Sequence, residues 1–288
     1  MNQVLDERYL ESITRLAVGI EPTDAVRAAP IGFGVTVAVD GVPLRPAFSA
    51  LDPNIPWWEP QDVLPRIRRN DACRHLFVFR VDPAHPAVVR VRDPAGRGPA
   101  LSIEDPLDVR IWDPTRRFVA RRLRMGLPAL PQKGRVVRPA LFPGAAYDLP
   151  AGAVACRGLV VRDGEPMPWA RVEARRGAGV VGHAHGDDRG EFLLLLGGAA
   201  VSAAALQFPI RLDVVVFGPK VKPAPATTPA AKADPLGDLP LEEVPAGSAG
   251  DAVLAGTTGL PGYRASAGGA VQVEFGPDGP VSGEFAFT

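Results

Sequence analysis

The residues best suited to chemistry in this 288-residue chain are two histidines two apart, in the run His183-Ala184-His185-Gly186-Asp187-Asp188. On a strand, positions i and i+2 share a face, so both imidazoles point the same way, as a metal centre requires. The run nearly spells His-x-His-x-Asp-His, a hydrolytic metal-ligand pattern, with Asp188 where the last His would stand. No histidine follows His185, and the remaining two, His75 and His85, lie far upstream. A metal-dependent hydrolase at His183 and His185 is therefore the least favoured reading. No catalytic residue, metal ligand or cofactor is assigned, and the chain is expected not to be an enzyme.

Other chemical patterns fail for stated reasons. Gly177-Ala178-Gly179-Val180-Val181-Gly182 has dinucleotide-loop spacing. Such a loop must open a helix whose N-terminus holds the pyrophosphate, and the residues after this one read as a strand. No serine sits in a Gly-x-Ser-x-Gly elbow, and Cys73 with His75 precedes a strand rather than forming a nucleophile and base. The acidic pairs Glu104-Asp105 and Glu242-Glu243 fall in polar turns, where solvation is expected.

Binding is better represented than catalysis. Pro53-Asn54-Ile55-Pro56-Trp57-Trp58-Glu59-Pro60 frames two adjacent tryptophans with prolines. In an extended segment one ring plugs the core and the other is free to anchor a partner, so Trp57 and Trp58 are candidate contacts. A carbohydrate-binding module using Trp57 and Trp58 is the alternative that the same loop supports. Five arginines within residues 116–124 suggest an interface rim, with Arg117 and Arg121 as candidate partner contacts.

Composition sets the frame for these residues. Lys+Arg and Asp+Glu are both 32, so the chain has no charge excess to attract nucleic acid or an anionic membrane. Arginine far outnumbers lysine, the usage of a GC-rich genome, which discounts arginine enrichment as a signal. With 31 Gly, 32 Pro and 46% hydrophobic residues, the chain is too apolar for disorder and too interrupted for a helical bundle. Cys73 and Cys156 stand alone and read as free thiols. The first dozen residues lack a signal-peptide pattern. The longest apolar run, residues 193–206, is shorter than the ~17–25 residues of a membrane span. The expected location is cytoplasmic, or inside an exported particle.

The elements that must position these residues are strands. Residues 3–17 carry Leu5, Tyr9, Ile13 and Leu16 at helical spacing, which predicts one amphipathic helix within an N-terminal arm, 1–27. From residue 28 to 127 the apolar period is two and turn signals such as Asp82-Pro83 and Asp113-Pro114 separate the runs, predicting an antiparallel β-sandwich. Residues 128–153 hold five prolines and predict an extended surface connector. Strands resume at 154, and residues 219–250, with seven prolines and seven alanines, predict a flexible loop inside a second β-sandwich. The end of the chain predicts a hairpin, Ala270–Phe275 with Val281–Phe287. The fold class is thus all-β, with two antiparallel sandwiches and a short N-terminal helix.

Within 156–196, Asp163-Gly164 permits a positive-φ hairpin turn, Asp187 can cap a turn closed by a left-handed Gly190, and Phe192 points to the core. With Gly158, Val160, Pro166, Ala170 and Val172, this spacing resembles the carboxypeptidase-regulatory-like family of small transthyretin-like β-sandwiches; Gly186 stands where Thr is usual. The resemblance implies a transthyretin-like unit over 154–288 and no particular activity, since such modules are appended to many unrelated proteins. The order of an N-terminal sandwich and this module is also similar to accessory proteins of phage-tail-like contractile injection particles. The function expected is a non-catalytic structural or adaptor component of a multiprotein assembly, partnered by other protein subunits, with no nucleic acid and no membrane insertion.

Overall fold

The computed structural model describes residues 14–32, 34–39, 68–69, 74–80, 88–90, 100–102, 106–126, 136–150, 153–196, 209–223, 236–244, 260, 262–276 and 281–288. Among them every regular element is a strand. The first eleven are β1 (Thr14–Ile20), β2 (Thr23–Asp24), β3 (Thr36–Val39), β4 (Arg68–Arg69), β5 (His75–Arg80), β6 (Val88–Arg90), β7 (Ala100–Ser102), β8 (Pro106–Trp112), β9 (Arg121–Gly126), β10 (Val136–Val137) and β11 (Ala140–Leu141). Then come β12 (Ala155–Arg162), β13 (Glu165–Pro166), β14 (Arg171–Arg176), β15 (Gly179–His185) and β16 (Glu191–Leu195). The last five are β17 (Ile210–Pro219), β18 (Leu241–Glu243), β19 (Tyr263–Ala265), β20 (Val271–Phe275) and β21 (Val281–Ala286).

The sheets of the first half run β10-β1-β5-β4 and β18-β9-β8-β3, with small pairs β11-β2 and β6-β7. The second half has β12 flanked by β16 and β13 on one edge and by a parallel β21 on the other. Facing it, β15-β14-β17 is extended by β19 and β20, which share the free edge of β17. Cys156, Val160, Phe192, Leu194 and Phe285 from one sheet meet Val172, Ala174, Val214, Val216 and Phe275 from the other in a single apolar cluster.

The leucine run at 193–196 shows how the halves join. Leu193 and Leu194 are both fully buried, yet they belong to different cores. Leu194 enters the cluster just described, while Leu193 and Ala155 enter the core of the first half with Val18, Ile20, Ile111 and Val137. Successive side chains on a strand face opposite ways, so the β12/β16 layer is apolar on both faces.

Four expectations are corrected. Residues 14–17, expected in a helix, are in β1, which pairs with β5 over Thr14↔Arg80 to Ile20↔His75; residues 1–13 lie outside the described residues. The helical spacing stops mattering once a cross-strand partner is present, because Val18 and Ile20 bury on the period of a strand. The supposed surface connector is core in its described part: Val137, Leu141, Phe142 and Tyr147 are buried, and β10 and β11 pair with β1 and β2. The supposed terminal hairpin is two edge strands, β20 on β17 and β21 on β12. The stretch 236–244 within the supposed flexible loop carries β18, which lies parallel to β9 with Leu239, Glu242 and Val244 buried.

Two turns form as their residues dictate. Arg162 pairs with Glu165 across Asp163 (φ 55) and Gly164 (φ 79), a two-residue hairpin whose residues both need positive φ. Asp187 accepts from the backbone N–H of Arg189 and of Glu191, and Gly190 (φ 77) closes the loop where a Cβ would sit 2.9 Å from the Val160 carbonyl oxygen. Both backbones are over-determined.

Candidate functional site

The site begins with a question of strand faces. On β14, Val172 and Ala174 point into the second-half core, which turns Arg171 and Glu173 to the other face of the sheet. His185 and His183 are their cross-strand partners on β15, so four ionisable groups share that outer face. Standing alone, the sheet would present them to water. Here Glu242 covers Arg171 and Phe142 covers His185, while His183 stays 30% exposed.

Arg121 and Glu242 reach that face from β9 and β18. Arg121 grips the Glu242 carboxylate bidentately, Nε to Oε1 at 3.0 Å and Nη2 to Oε2 at 2.5 Å, and Nη1 donates to the Ala140 carbonyl at 2.6 Å. Arg171 adds Nη2 to Oε1 at 3.2 Å and donates Nη1 to the Trp169 carbonyl at 3.0 Å. The side chains are 0%, 6% and 2% exposed for Arg121, Glu242 and Arg171. Charge-assisted pairing of this kind is what lets a charged side chain stay out of water.

Burial and pairing set the protonation states. Burial by itself would raise the Glu242 carboxyl, but the two guanidiniums outweigh it and hold the group below the usual carboxylate value. Burial lowers Arg171, with Glu242 opposing. His185 is fully buried, its ring stacked on Phe142 with centroids 4.0 Å apart. Burial first, then Arg171 and Arg121, push it well below the ordinary imidazole value, so it is neutral. Neither ring nitrogen of His185 has a hydrogen-bond partner among the described residues.

A cleft of about 550 Å³ adjoins the cluster, sharing Trp169 and Tyr263 with it. Trp169 adopts φ 59, a left-handed conformation that costs a bulky residue of the order of 1–3 kcal/mol and persists where neighbours enforce it. They do so here. Its N–H donates to the Asp187 carbonyl at 3.0 Å, its indole Nε1 to Asp238 Oδ1 at 2.8 Å, and its carbonyl accepts from the Tyr263 hydroxyl at 3.1 Å. The remaining wall is apolar and proline-rich, with Met167, Pro219 and Pro240, and carries Arg162 and Lys222 opposite acidic Glu165 and Glu243 in sign. Burial raises the Tyr263 hydroxyl, which keeps it a hydrogen-bond donor rather than a base. The arrangement is one of contact and shape.

The expected site residues are distributed unevenly. Trp57 and Trp58 lie outside the described residues. Arg117 is partly exposed and donates to Asp113 at 3.1 Å and to the Thr115 hydroxyl at 3.0 Å. Arg121, expected on an interface rim, is instead wholly buried on Glu242, because β18 covers its edge. Arg116, its neighbour in the run, spans the halves at the surface with a bidentate pair to Asp188 at 2.7 and 3.1 Å. Asp163, Gly164, Asp187 and Gly190 form the two turns described above. His183 and His185 share a face, but His185 is closed off by Phe142, and no cluster of three potential metal ligands occurs among the described residues. Among them, too, no helix is long and apolar enough to cross a membrane.

Arg171, Glu242, Trp169, Tyr263 and Phe142 are not expected site residues from sequence. Glu242 has a usable signal, since it and Val244 stand two apart, as on one face of a strand, between Pro240 and Pro245. Compared with protein-family models and with curated proteins, the chain matches none.

Proposed function

We propose that this chain is a non-catalytic structural or adaptor component of a multiprotein assembly. In this reading its two halves are β-sandwiches of mixed strand direction, the second transthyretin-like, and the assembly is of the phage-tail-like contractile injection kind. The observation that supports the reading is the use made of the ionisable residues at the seam. Arg121 and Arg171 both pair with Glu242, His185 is held neutral behind Phe142, and what remains open is a cleft walled by Trp169, Tyr263, Met167 and prolines. Side chains of that kind bind surfaces and are enriched at interface hot spots. Location in the cytoplasm or in an exported particle goes with this role.

Native mass spectrometry of the chain isolated from its source at endogenous concentration tests the proposal. Recovery in a stoichiometric complex with other subunits is the expected result. A chain recovered only as a free monomer, with or without chemical cross-linking before lysis, overturns it.

A further inference from the structure

The charges at the seam do not balance, and the buried donors beside them are not all used. Arg121 and Arg171 share the one Glu242 carboxylate, with all three side chains at most 6% exposed. The other buried acid on this face, Glu173, is taken by Arg175, which donates Nε and Nη2 to its Oε2 at 2.9 and 2.6 Å. Asp238, beside Tyr263, is exposed and accepts from the Trp169 indole. Three guanidiniums thus face two buried carboxylates, an excess of one positive charge. Holding a net charge out of water is costly unless a counter-charge joins it.

The unused donors lie on the same face. Arg171 spends Nη1 on the Trp169 and Ala170 carbonyls, at 3.0 and 3.3 Å, and Nη2 on Glu242. Its Nε is buried with no partner among the described residues, and so are both ring nitrogens of His185 and Nδ1 of His183. Arg171 and His185 are register partners on β14 and β15, which sets their Cβ atoms about 4.5–5.5 Å apart on one face of the sheet. His183 shares that face two residues earlier, and its Nδ1 stands 4.0 Å from Glu173 Oε1. Buried polar atoms nearly always have partners, so orphans gathered around one excess charge mark the place of a partner.

We propose that the seam binds one small monovalent anion, of the halide class, between the Arg171 Nε–H and the imidazole of His185. One negative charge cancels the excess of one. Water would accept the same N–H bonds and leave the excess charge in place. A neutral imidazole carries its proton on either nitrogen, and no hydrogen bond fixes the tautomer of His185, so the ring can present an N–H to the ion. Burial also selects among anions. Chloride and bromide give up their water more readily than fluoride, while a divalent sulfate or phosphate carries a larger desolvation cost and overshoots the charge. His183, 30% exposed, is the solvent side of the site. By neutralising the excess, the ion lets both arginines stay on Glu242, and so holds β18 on β9 over the sheet.

Urea unfolding of the full chain, in sodium chloride with sodium gluconate holding the ionic strength constant, tests the site. An ion that binds only the folded state multiplies the folded-to-unfolded ratio by 1 + [L]/Kd, where L is the ion. Arg171→Met is the control. It removes the orphan donor and leaves Arg121 and Glu242 a matched pair, so it folds without needing the ion. Between about 5 and 500 mM chloride the ratio should rise at least threefold more in the native protein than in Arg171→Met, and bromide should do the same. Crystals grown from sodium bromide give the position, with an anomalous peak expected at hydrogen-bonding distance from Arg171 Nε and a His185 ring nitrogen. A chloride response that differs less than threefold between native and Arg171→Met overturns the proposal. If the variant does not fold, the crystal decides, and bromide peaks elsewhere with none beside His185 overturn it as well.

Discussion

Replacing Glu242 by glutamine removes one charge and almost no volume, so its effect isolates the electrostatics of the seam. In the native protein the carboxylate accepts from both Arg121 and Arg171, and all three side chains are at most 6% exposed. After substitution two guanidiniums remain buried with only a neutral amide oxygen between them. Removing one partner of a buried ion pair costs about 3–5 kcal/mol, mostly the penalty of the charge left behind. The carbonyls of Ala140 and Trp169 still accept from Arg121 and Arg171, which places the expected loss near the low end, about 3 kcal/mol. For a chain of this size that corresponds to a fall in Tm of about 6–12 °C. Urea unfolding followed by tryptophan fluorescence at pH 7.5, with calorimetry for Tm, measures it. The triple variant Arg121→Met, Arg171→Met, Glu242→Leu provides the opposite arm, because well-packed apolar replacement of a whole buried cluster is often neutral or stabilising. A Glu242→Gln loss under about 1 kcal/mol, or a triple variant no better than the single one, would refute the claim that uncompensated charge dominates this seam.

His185 should make the protein acid-sensitive before its carboxylates do. Its folded pKa lies well below 6.5, so on lowering the pH from 6.5 the unfolded chain takes up a proton that the native one refuses. Stability then falls by up to about 1.4 kcal/mol per pH unit. Glu242, also depressed, adds its own loss only below its ordinary value of 4.5; urea midpoints at pH 7.5, 6.5 and 5.5 should therefore fall in the native protein and stay flatter in His185→Leu. Gly190→Ala should cost more than about 2 kcal/mol, because φ is 77 and the new Cβ meets Val160 and Met167 backbone atoms at 2.9–3.0 Å. Gly164→Ala, at φ 79 with nothing within 4 Å, should cost only about 1 kcal/mol, and equal losses in the two variants would refute the distinction. Burial pushes the Cys156 thiol up to about 11. On a Cys73→Ser background it should resist thiol reagents at pH 8 until the protein unfolds, and rapid labelling of the native form would contradict its place in the core.

The strands legible in the sequence are those whose neighbours supply ordinary period-two patterns. β8, β12 and β17 fall within a few residues of the alternating runs that announce them, and Asp163-Gly164 and Asp187 with Gly190 turn as their side chains and φ freedom require. Two of the misses share one physical cause. Composition reports whether a segment can bury itself, not whether something else buries it. Residues 136–150 and 236–244 lie in stretches whose prolines suggest a surface loop, yet Phe142 and Leu239 are buried, since the strands they flank are short edge strands that tolerate proline nearby. The outer face of β14 misleads in the same way. Arg171 reads as solvent-facing, and its sequence is the same whether water or Glu242 meets it.

The cluster contributes register more than it contributes stability. An apolar seam would hold β18 against β9 equally well in several alignments, because Leu239, Leu241 and Val244 are similar in size and the pairing spans three residues. With a carboxylate required between Arg121 and Arg171, alternatives separate sharply. A shift by one residue turns Glu242 to the opposite face and presents Leu241 or Glu243 in its place, because side chains alternate along a strand. Leu241 would leave both guanidiniums unpaired, and Glu243 would carry Val244 and Leu239 out of their apolar contacts. A two-residue shift restores the face but offers Pro240 or Val244 to the arginines. Only one alignment satisfies the charges and the apolar positions together, and it is the one in which Asp238 accepts from the Trp169 indole beside the cleft. One wall of the cleft, Asp238, Pro240, Leu241 and Glu243, thus follows from where a single glutamate can sit.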